Sequence, residues 1–124
     1  MTVWTPQQLD TIARVDEIDI SSTRPDGTLS TPRVIWAVRD GDEVYIRSVN
    51  GPAAAWYRST RPRHQGHLHA GDLDVDVSFV DVDGEINDRI DAAYRDKYHR
   101  YAVSIVDSIN SSIAAQTTMR VQPR

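Results

Sequence analysis

Two short stretches of alternating residues, placed on either side of Asp40-Gly41, constrain the fold of this chain more than any other feature. A period of two divides each stretch into two faces, with Val34, Trp36 and Val38 on one face of residues 33–39. In residues 43–49, one face carries Val44, Ile46 and Ser48. Alternation with a period of two on both sides of an Asp-Gly pair is a strong local signal for a β-hairpin. The fold therefore contains an antiparallel sheet.

Two loop lengths are compatible with this hairpin. A two-residue loop at 40–41 sets Val38 opposite Glu43, whereas a three-residue loop at 40–42 sets Val38 opposite Val44. The longer loop keeps one face of the hairpin apolar and pairs opposite charges across the strands, so it is the register that we expect. It requires Asp42 to adopt the left-handed conformation, which aspartate tolerates.

The segment that follows the hairpin predicts a helix over residues 52–61, because Pro52 suits the first helical position. Unpaired N–H groups beside Gly51, together with Ser48 and the guanidinium of Arg47, would form an anion pocket there. Alternatively, Asn50 only caps the helix and the arginines are solvated.

Length and composition narrow the class of protein. With 124 residues, the chain is expected to form one domain over 1–124. The net charge of -4 argues against a general nucleic-acid binder, and no apolar run is long enough for a membrane span. The N-terminus lacks the pattern of a signal peptide, so a cytoplasmic protein is expected.

The remaining pattern predicts an α+β fold built on a small antiparallel barrel. A capping box at Thr5 starts a short helix that ends near Val15, and Asp83 starts a second helix. Residues 102–112 are ambiguous between a loop and a short helical piece. The other predicted strands cover residues 17–23, 64–70, 73–82, with a bulge at Val80, and 113–121, which gives about six strands and three helices in all.

Histidines at positions 64, 67 and 69 raise the question of a metal site, since His67 and His69 project from one face of a strand. No carboxylate at a fixed spacing completes the set, and the alternative is an exposed, partly charged strand face. We therefore expect no metal site. Tyr94, Tyr98 and Tyr101 form a stripe at helical spacing, which is typical of core or interface packing.

Four motifs follow one another in the central part of the chain: Pro32-Arg33-Val34, Arg39-Asp40-Gly41-Asp42, Ser48-x-Asn50-Gly51 and Ala55-Trp56-Tyr57. Their order and spacing resemble the deazaflavin-dependent nitroreductase family, within the flavin-binding split-barrel superfamily. A second set is Trp4-Thr5-Pro6, Arg47-Ser48-x-x-Gly51, Trp56-Tyr57-Arg58 and Tyr94-Arg95-x-Lys97-Tyr98. This set resembles a bacterial family of unknown function placed beside that superfamily.

The resemblance implies a six-stranded antiparallel split β-barrel with about three short helices. It also implies an oxidoreductase that binds a deazaflavin coenzyme or FMN, acts on a small organic molecule and often forms a homodimer. The residues that it places at the coenzyme are Arg24, Arg33, Arg47, Ser48, Asn50, Gly51, Trp56 and Tyr57. Trp36 or Trp56 would wall the ring system, and Tyr94 or Tyr98 would donate a proton to the reduced substrate as the catalytic group.

One turn differs from the nitroreductase pattern and supports alternative functions. Residues 24–27 keep Arg24 and Gly27, but the pair Pro25-Asp26 stands where small or basic residues are expected, and Asp26 repels a phosphate. One alternative is a cofactor-free barrel that binds or rearranges a small ligand without hydride transfer. Another is a structural or partner-binding domain that uses the tyrosine stripe as a dimer surface.

Overall fold

The computed structural model describes residues 3–124, which form a seven-stranded antiparallel sheet and five short α-helices. The order of the strands in the sheet is β2-β1-β5-β6-β7-β4-β3. Their bounds are β1 Ile18–Ser22, β2 Arg33–Ile35, β3 Ala37–Asp40, β4 Glu43–Ile46, β5 Gln65–Ala70, β6 Leu73–Asp81 and β7 Met119–Pro123.

A single residue, Trp36, connects the two edge strands of this sheet. The chain leaves one edge after Ile35, at the end of β2, and joins the other edge at Ala37, at the start of β3. This connection nearly closes the sheet into a barrel, so the predicted α+β class with an antiparallel barrel is confirmed. The sequence predicted one strand over 33–39, and its division at Trp36 is why seven strands are found instead of six.

The hairpin between β3 and β4 has a different register from either predicted one. Val38 lies opposite Tyr45, and the loop consists of Gly41 and Asp42. Gly41 adopts the left-handed conformation with φ of 61°, so Asp40 remains in the strand. Both predicted loops were wrong because both faces of the hairpin are buried, and one apolar face therefore could not fix the register.

The observed register places two acidic residues, Asp40 and Glu43, opposite each other. Each has a cationic partner elsewhere in the fold: Arg89 pairs with Asp40, and the Nε atom of Arg120 lies 3.7 Å from a carboxylate oxygen of Glu43. These partners offset the repulsion between the two carboxylates.

The helices are α1 Pro6–Arg14, α2 Ala55–Thr60, α3 Asn87–Lys97, α4 Val103–Ile109 and α5 Ser112–Ala115. The predicted capping box of α1 is present, with Thr5 and Gln8 exchanging hydrogen bonds. The predicted helix 52–61 is split, because the extended conformation of Ala54 separates a 3-10 turn at Gly51–Ala53 from α2. A second 3-10 turn, Gly84–Ile86, is capped by Asp83 and precedes α3.

Two other predictions in the second half of the chain were wrong. Only residues 119–121 of the predicted strand 113–121 lie in a strand, because Ser111 caps α5 and β7 starts at Met119. The bulge at Val80 is absent, since the registers of β6 with β5 and with β7 are uninterrupted. The ambiguous residues 102–112 contain the helix α4.

The sheet is buried on both faces along β3 and β4. The barrel interior holds one apolar cluster, which includes Ala37 and Ile46. The outer face of the same hairpin packs on α3 and α4 in a second cluster: Val38, Tyr45, Ile90, Tyr94, Tyr98, Val106 and Ile109. Because Tyr94 and Tyr98 are fully buried there, the tyrosine stripe packs in the core and cannot serve as the suggested dimer surface.

The longest helix among residues 3–124 has 11 residues, and none of these helices combines the length and apolar character that a bilayer span requires.

Candidate functional site

A cavity opens where the barrel wall separates. Continued beyond the pair Ala37 and Ile46, the register of β3 and β4 would set residues 33–36 against residues 47–50. Residues 33–35 pair with β1 instead, so the two segments diverge. A space of about 370 Å³ lies between them, which we call the seam cavity.

The walls of the seam cavity are mainly apolar. Its aromatic side chains are Trp36, from the connection between the edge strands, and Trp56, from α2. Aliphatic side chains from β2, from the loop after β4 and from α4 complete these walls: Val34, Ile35, Val49, Ile105 and Ile109. The polar residues are Glu17, Arg33, Arg47, Asn50 and Ser108. An apolar cavity with a few polar groups is the usual form of a small-molecule site.

Aromatic packing holds the indole of Trp36 in place. It stacks on Tyr98 with ring centroids 3.8 Å apart and an interplanar angle of 4°, and Tyr101 lies against it at 5.1 Å. The Tyr98 hydroxyl in turn lies 2.8 Å from the carbonyl oxygen of Asp16 and accepts a hydrogen bond from the Ala37 N–H. These contacts fix one wall of the cavity before any ligand arrives.

The guanidinium of Arg47 is fully buried and already bound to protein acceptors. Its Nε donates to Oγ1 of Thr118 at 2.8 Å, and its Nη1 donates to Oδ1 of Asp91 at 2.6 Å and to Oδ1 of Asn110 at 3.1 Å. Its Nη2 donates to the carbonyl oxygen of Asn87 at 3.3 Å. The charge of Arg47 is therefore balanced inside the protein, and an anionic ligand would have to compete with Asp91 for it.

Four of the eight predicted coenzyme-binding residues line the seam cavity: Arg33, Arg47, Asn50 and Trp56. The other four lie outside its lining and have contacts of their own. Arg24 donates to the Leu29 carbonyl within its turn, and Ser48 donates from its hydroxyl to the Gly51 carbonyl. Gly51 packs against Ile113, and the Tyr57 hydroxyl accepts a hydrogen bond from Arg61.

The structure places the two predicted catalytic tyrosines away from the seam cavity. Neither Tyr94 nor Tyr98 lines the seam cavity, and both side chains are fully buried on the outer face of the hairpin. Burial raises the pKa of both hydroxyls above the ordinary value for tyrosine, which makes them weaker acids. Position and acidity thus both argue against their role as proton donors.

The sequence interpretation missed Glu17 and most of the aliphatic wall. The register that sets residues 33–36 against residues 47–50 was not available from the sequence, because alternation did not fix it. The available signal was the spacing of Ile105 and Ile109 by one helical turn, within a stretch whose structure was left ambiguous.

Histidines of β5 and aspartates of β6 contact one another on the sheet surface. His67 lies between Asp74 and Asp76, at 3.0 Å from a carboxylate oxygen of each, and His69 lies 2.9 Å from Asp74. Within residues 3–124, no group of three or more such side chains has an arrangement that could hold a metal ion.

The sequence matches the profile of DUF2255, described as an uncharacterized protein conserved in bacteria, over residues 8–121. This chain belongs to that family. No curated protein matches the sequence. The fold supplies the wider comparison.

Several solved structures share this fold. An F420 reductase is 14% identical over 93% of this chain and 91% of its own, with a TM-score of 0.65. The heme storage protein HutZ from Vibrio cholerae is 14% identical over 100% of this chain and 92% of its own, with a TM-score of 0.64. The conserved hypothetical protein Rv2991 from Mycobacterium tuberculosis is 10% identical over 99% of this chain and 81% of its own, with a TM-score of 0.63. The predicted resemblance to split-barrel proteins is confirmed, and identities this low establish the shared fold alone.

Proposed function

We propose that the seam cavity binds the ring system of a deazaflavin coenzyme or FMN and that the protein is an oxidoreductase acting on a small organic molecule. The observation that carries the proposal is a cavity of about 370 Å³ with two indoles, Trp36 and Trp56, in its walls. Planar ring systems bind well against aromatic and aliphatic surfaces. The shared fold with an F420 reductase supports the same conclusion.

Arg33 and Asn50 are the groups that would hold the anionic part of the coenzyme. Both line the cavity, Arg33 from β2 and Asn50 from the loop after β4. Within residues 3–124, the side chain of Arg33 has no hydrogen bond or ion pair, so it is available to a phosphate or carboxylate. Arg47, Ser48 and Gly51 would act indirectly, by holding the shape of the loop that carries Asn50.

A bound coenzyme of this class supplies hydride transfer. The chain itself would bind and orient the ring through Trp36 and Trp56, and would exclude water through the apolar side chains of α4, Ile105 and Ile109. No side chain that lines the cavity is assigned as the proton donor.

The hydrogen-bond partners of the arginines support a second function. Arg47 is bound to Asp91, and Arg24 is bound within its own turn, which leaves Arg33 as the one arginine of the cavity lining without a protein partner in residues 3–124. One exposed guanidinium suits a ligand with a single carboxylate better than a phosphorylated coenzyme. A cofactor-free barrel that binds or rearranges a small ligand is therefore the second candidate.

Titration of the purified protein with FMN and with the deazaflavin coenzyme, followed by coenzyme fluorescence, separates the two functions. We expect saturable binding that weakens about tenfold in Trp56→Ala, because a stacking surface is lost. Trp4→Phe serves as the matched control, since Trp4 lies outside the lining of the cavity. The absence of saturable binding of either coenzyme contradicts the redox function and directs the search to small carboxylated ligands.

We also propose that the protein forms a homodimer through the mouth of the seam cavity. Three aliphatic side chains there are well exposed: Val34 at 60%, Val49 at 46% and Ile105 at 49%. An exposed apolar patch next to a cavity is typical of an interface. Light scattering should give twice the mass of the chain, and the mass of a monomer would contradict this assembly.

A further inference from the structure

The seam cavity carries two charged side chains of opposite sign that no other part of the described chain neutralises. Glu17 and Arg33 both line it, and within residues 3–124 neither side chain has a hydrogen bond or an ion pair. The third charge of the lining, Arg47, is balanced by Asp91. The cavity thus offers a ligand one free cation and one free anion.

The register of β1 and β2 separates these two charges along the strands that line the cavity. Ile18 lies opposite Ile35 and Ile20 lies opposite Arg33, so Glu17, just before β1, falls beside Trp36. Arg33 and Trp36 are three residues apart along an extended segment, a separation of about 10 Å. The apolar wall between the two charges consists of Val34, Ile35 and the indole of Trp36.

We infer that the ligand of the seam cavity is dipolar: a planar aromatic molecule with an anionic group at one end and an ammonium or N–H donor at the other. The anion binds Arg33, the cation or N–H group binds Glu17, and the rings lie along Trp36. This inference deepens the proposed function and rests on it, because it specifies the class of molecule that the same cavity takes.

The charge arrangement gives a reason for this selectivity. A ligand with only a carboxylate makes one ion pair, with Arg33, and a ligand with only an amine makes one ion pair, with Glu17. A dipolar ligand satisfies both ends at once. Each end contributes about a fivefold gain in affinity, because both side chains are solvent-exposed and their ion pairs are screened.

Three probes of nearly equal size test the inference: 4′-(aminomethyl)biphenyl-4-carboxylate, biphenyl-4-carboxylate and 4-(aminomethyl)biphenyl. Calorimetric titration of the full chain should show the dipolar probe binding more tightly than either singly charged probe. In Arg33→Gln, the affinity of the dipolar probe should fall to that of the amine probe. In Glu17→Gln, it should fall to that of the carboxylate probe. Circular dichroism of these surface variants checks that the fold is kept.

Variants that reverse the two charges give the most discriminating test of the inference. Glu17→Arg and Arg33→Glu should each weaken the dipolar probe, whereas the double variant should recover it to within a few-fold of the natural chain, since the ligand can bind in the reverse direction. If the three probes bind equally, or if none binds while FMN or the deazaflavin coenzyme does, the inference is overturned and the proposed function stands. If neither the probes nor the coenzymes bind, both fail together.

Discussion

Arg47 shows how a residue that resembles a ligand-binding group in the sequence can instead be part of the fold. Its side chain is fully buried, and Asp91, Thr118 and Asn110 accept its hydrogen bonds. These partners belong to α3, to the loop after α4 and to the residue before β7. Arg47 thus ties three distant parts of the chain to the end of β4.

Replacing this residue should destabilise the protein strongly. We expect Arg47→Met to lower the free energy of unfolding by about 3 kcal/mol, because it leaves Asp91 and the neighbouring amide and hydroxyl groups without their donor. The matched control is Arg89→Met, which removes an exposed ion pair with Asp40 and should change it by less than about 1 kcal/mol. Urea denaturation measures both, and equal effects would contradict the structural role of Arg47.

The pH dependence of stability should contain a contribution from His67. Burial lowers the pKa of His67, but hydrogen bonds to Asp74 and Asp76 raise it more, so the net shift is upward. A raised pKa means that the stabilisation is complete below the unfolded-state value of about 6.5 and is lost as the pH rises through the folded-state value. The pKa of Asp74 is lowered by hydrogen bonds to His67 and His69, so Asp74 stays charged in this range.

Thermal unfolding between about pH 6 and pH 8 tests this contribution. The melting temperature of the natural chain should fall by a few degrees as the pH rises, and His67→Gln should remove this part of the fall. His99→Gln, at an exposed histidine after α3, is the control and should leave the dependence unchanged. The same slope in His67→Gln would show that another group is responsible.

At the scale of the elements, β1 and β5 approach closely at Gly66. A Cβ atom at this position would overlap the carbonyl oxygen of Ser21 and would crowd the ring of Phe79. Gly66 lies within β5, where the strand pairs with β1 on one side and β6 on the other. The close approach lets the sheet curve toward a barrel at this point.

Gly66→Ala should therefore destabilise the protein by about 2 kcal/mol or more, since a backbone carbonyl cannot move aside as a side chain can. Gly84→Ala is the matched control, because a Cβ atom there meets only an ordinary contact with Asn87. It should change the free energy of unfolding by less than about 0.5 kcal/mol. Chemical denaturation compares the two, and a neutral Gly66→Ala would show that the strands can separate at little cost.

Elements that depend on local sequence were predictable, and those that depend on distant partners were not. The capping box at Thr5 and the strands β5 and β6 follow from nearby residues, and the structure contains them. The division of one predicted strand at Trp36 depends on which strand each half pairs with, and alternation alone does not encode that choice. For the same reason, the sequence did not predict Glu17 or most of the aliphatic residues of the candidate site. The seam cavity exists only where two segments do not pair.

At the scale of the whole molecule, the seam is the feature that links fold and proposed function. A sheet that nearly closes through one residue leaves a gap beside that residue, and Trp36 occupies the end of this gap with Tyr98 behind it. The α4 helix covers the outer side of the gap with Ile105 and Ile109. The connection that nearly closes the barrel thus also forms one wall of the pocket.

Backbone amide NMR during titration with FMN and with the deazaflavin coenzyme tests this link most directly. We expect saturable chemical-shift changes confined to residues 17, 33–36, 49–50, 56 and 105–109. Changes confined instead to the separate groove beside Trp4, Leu9 and Gln122, or no saturable changes with either coenzyme, would contradict the seam cavity as the binding site.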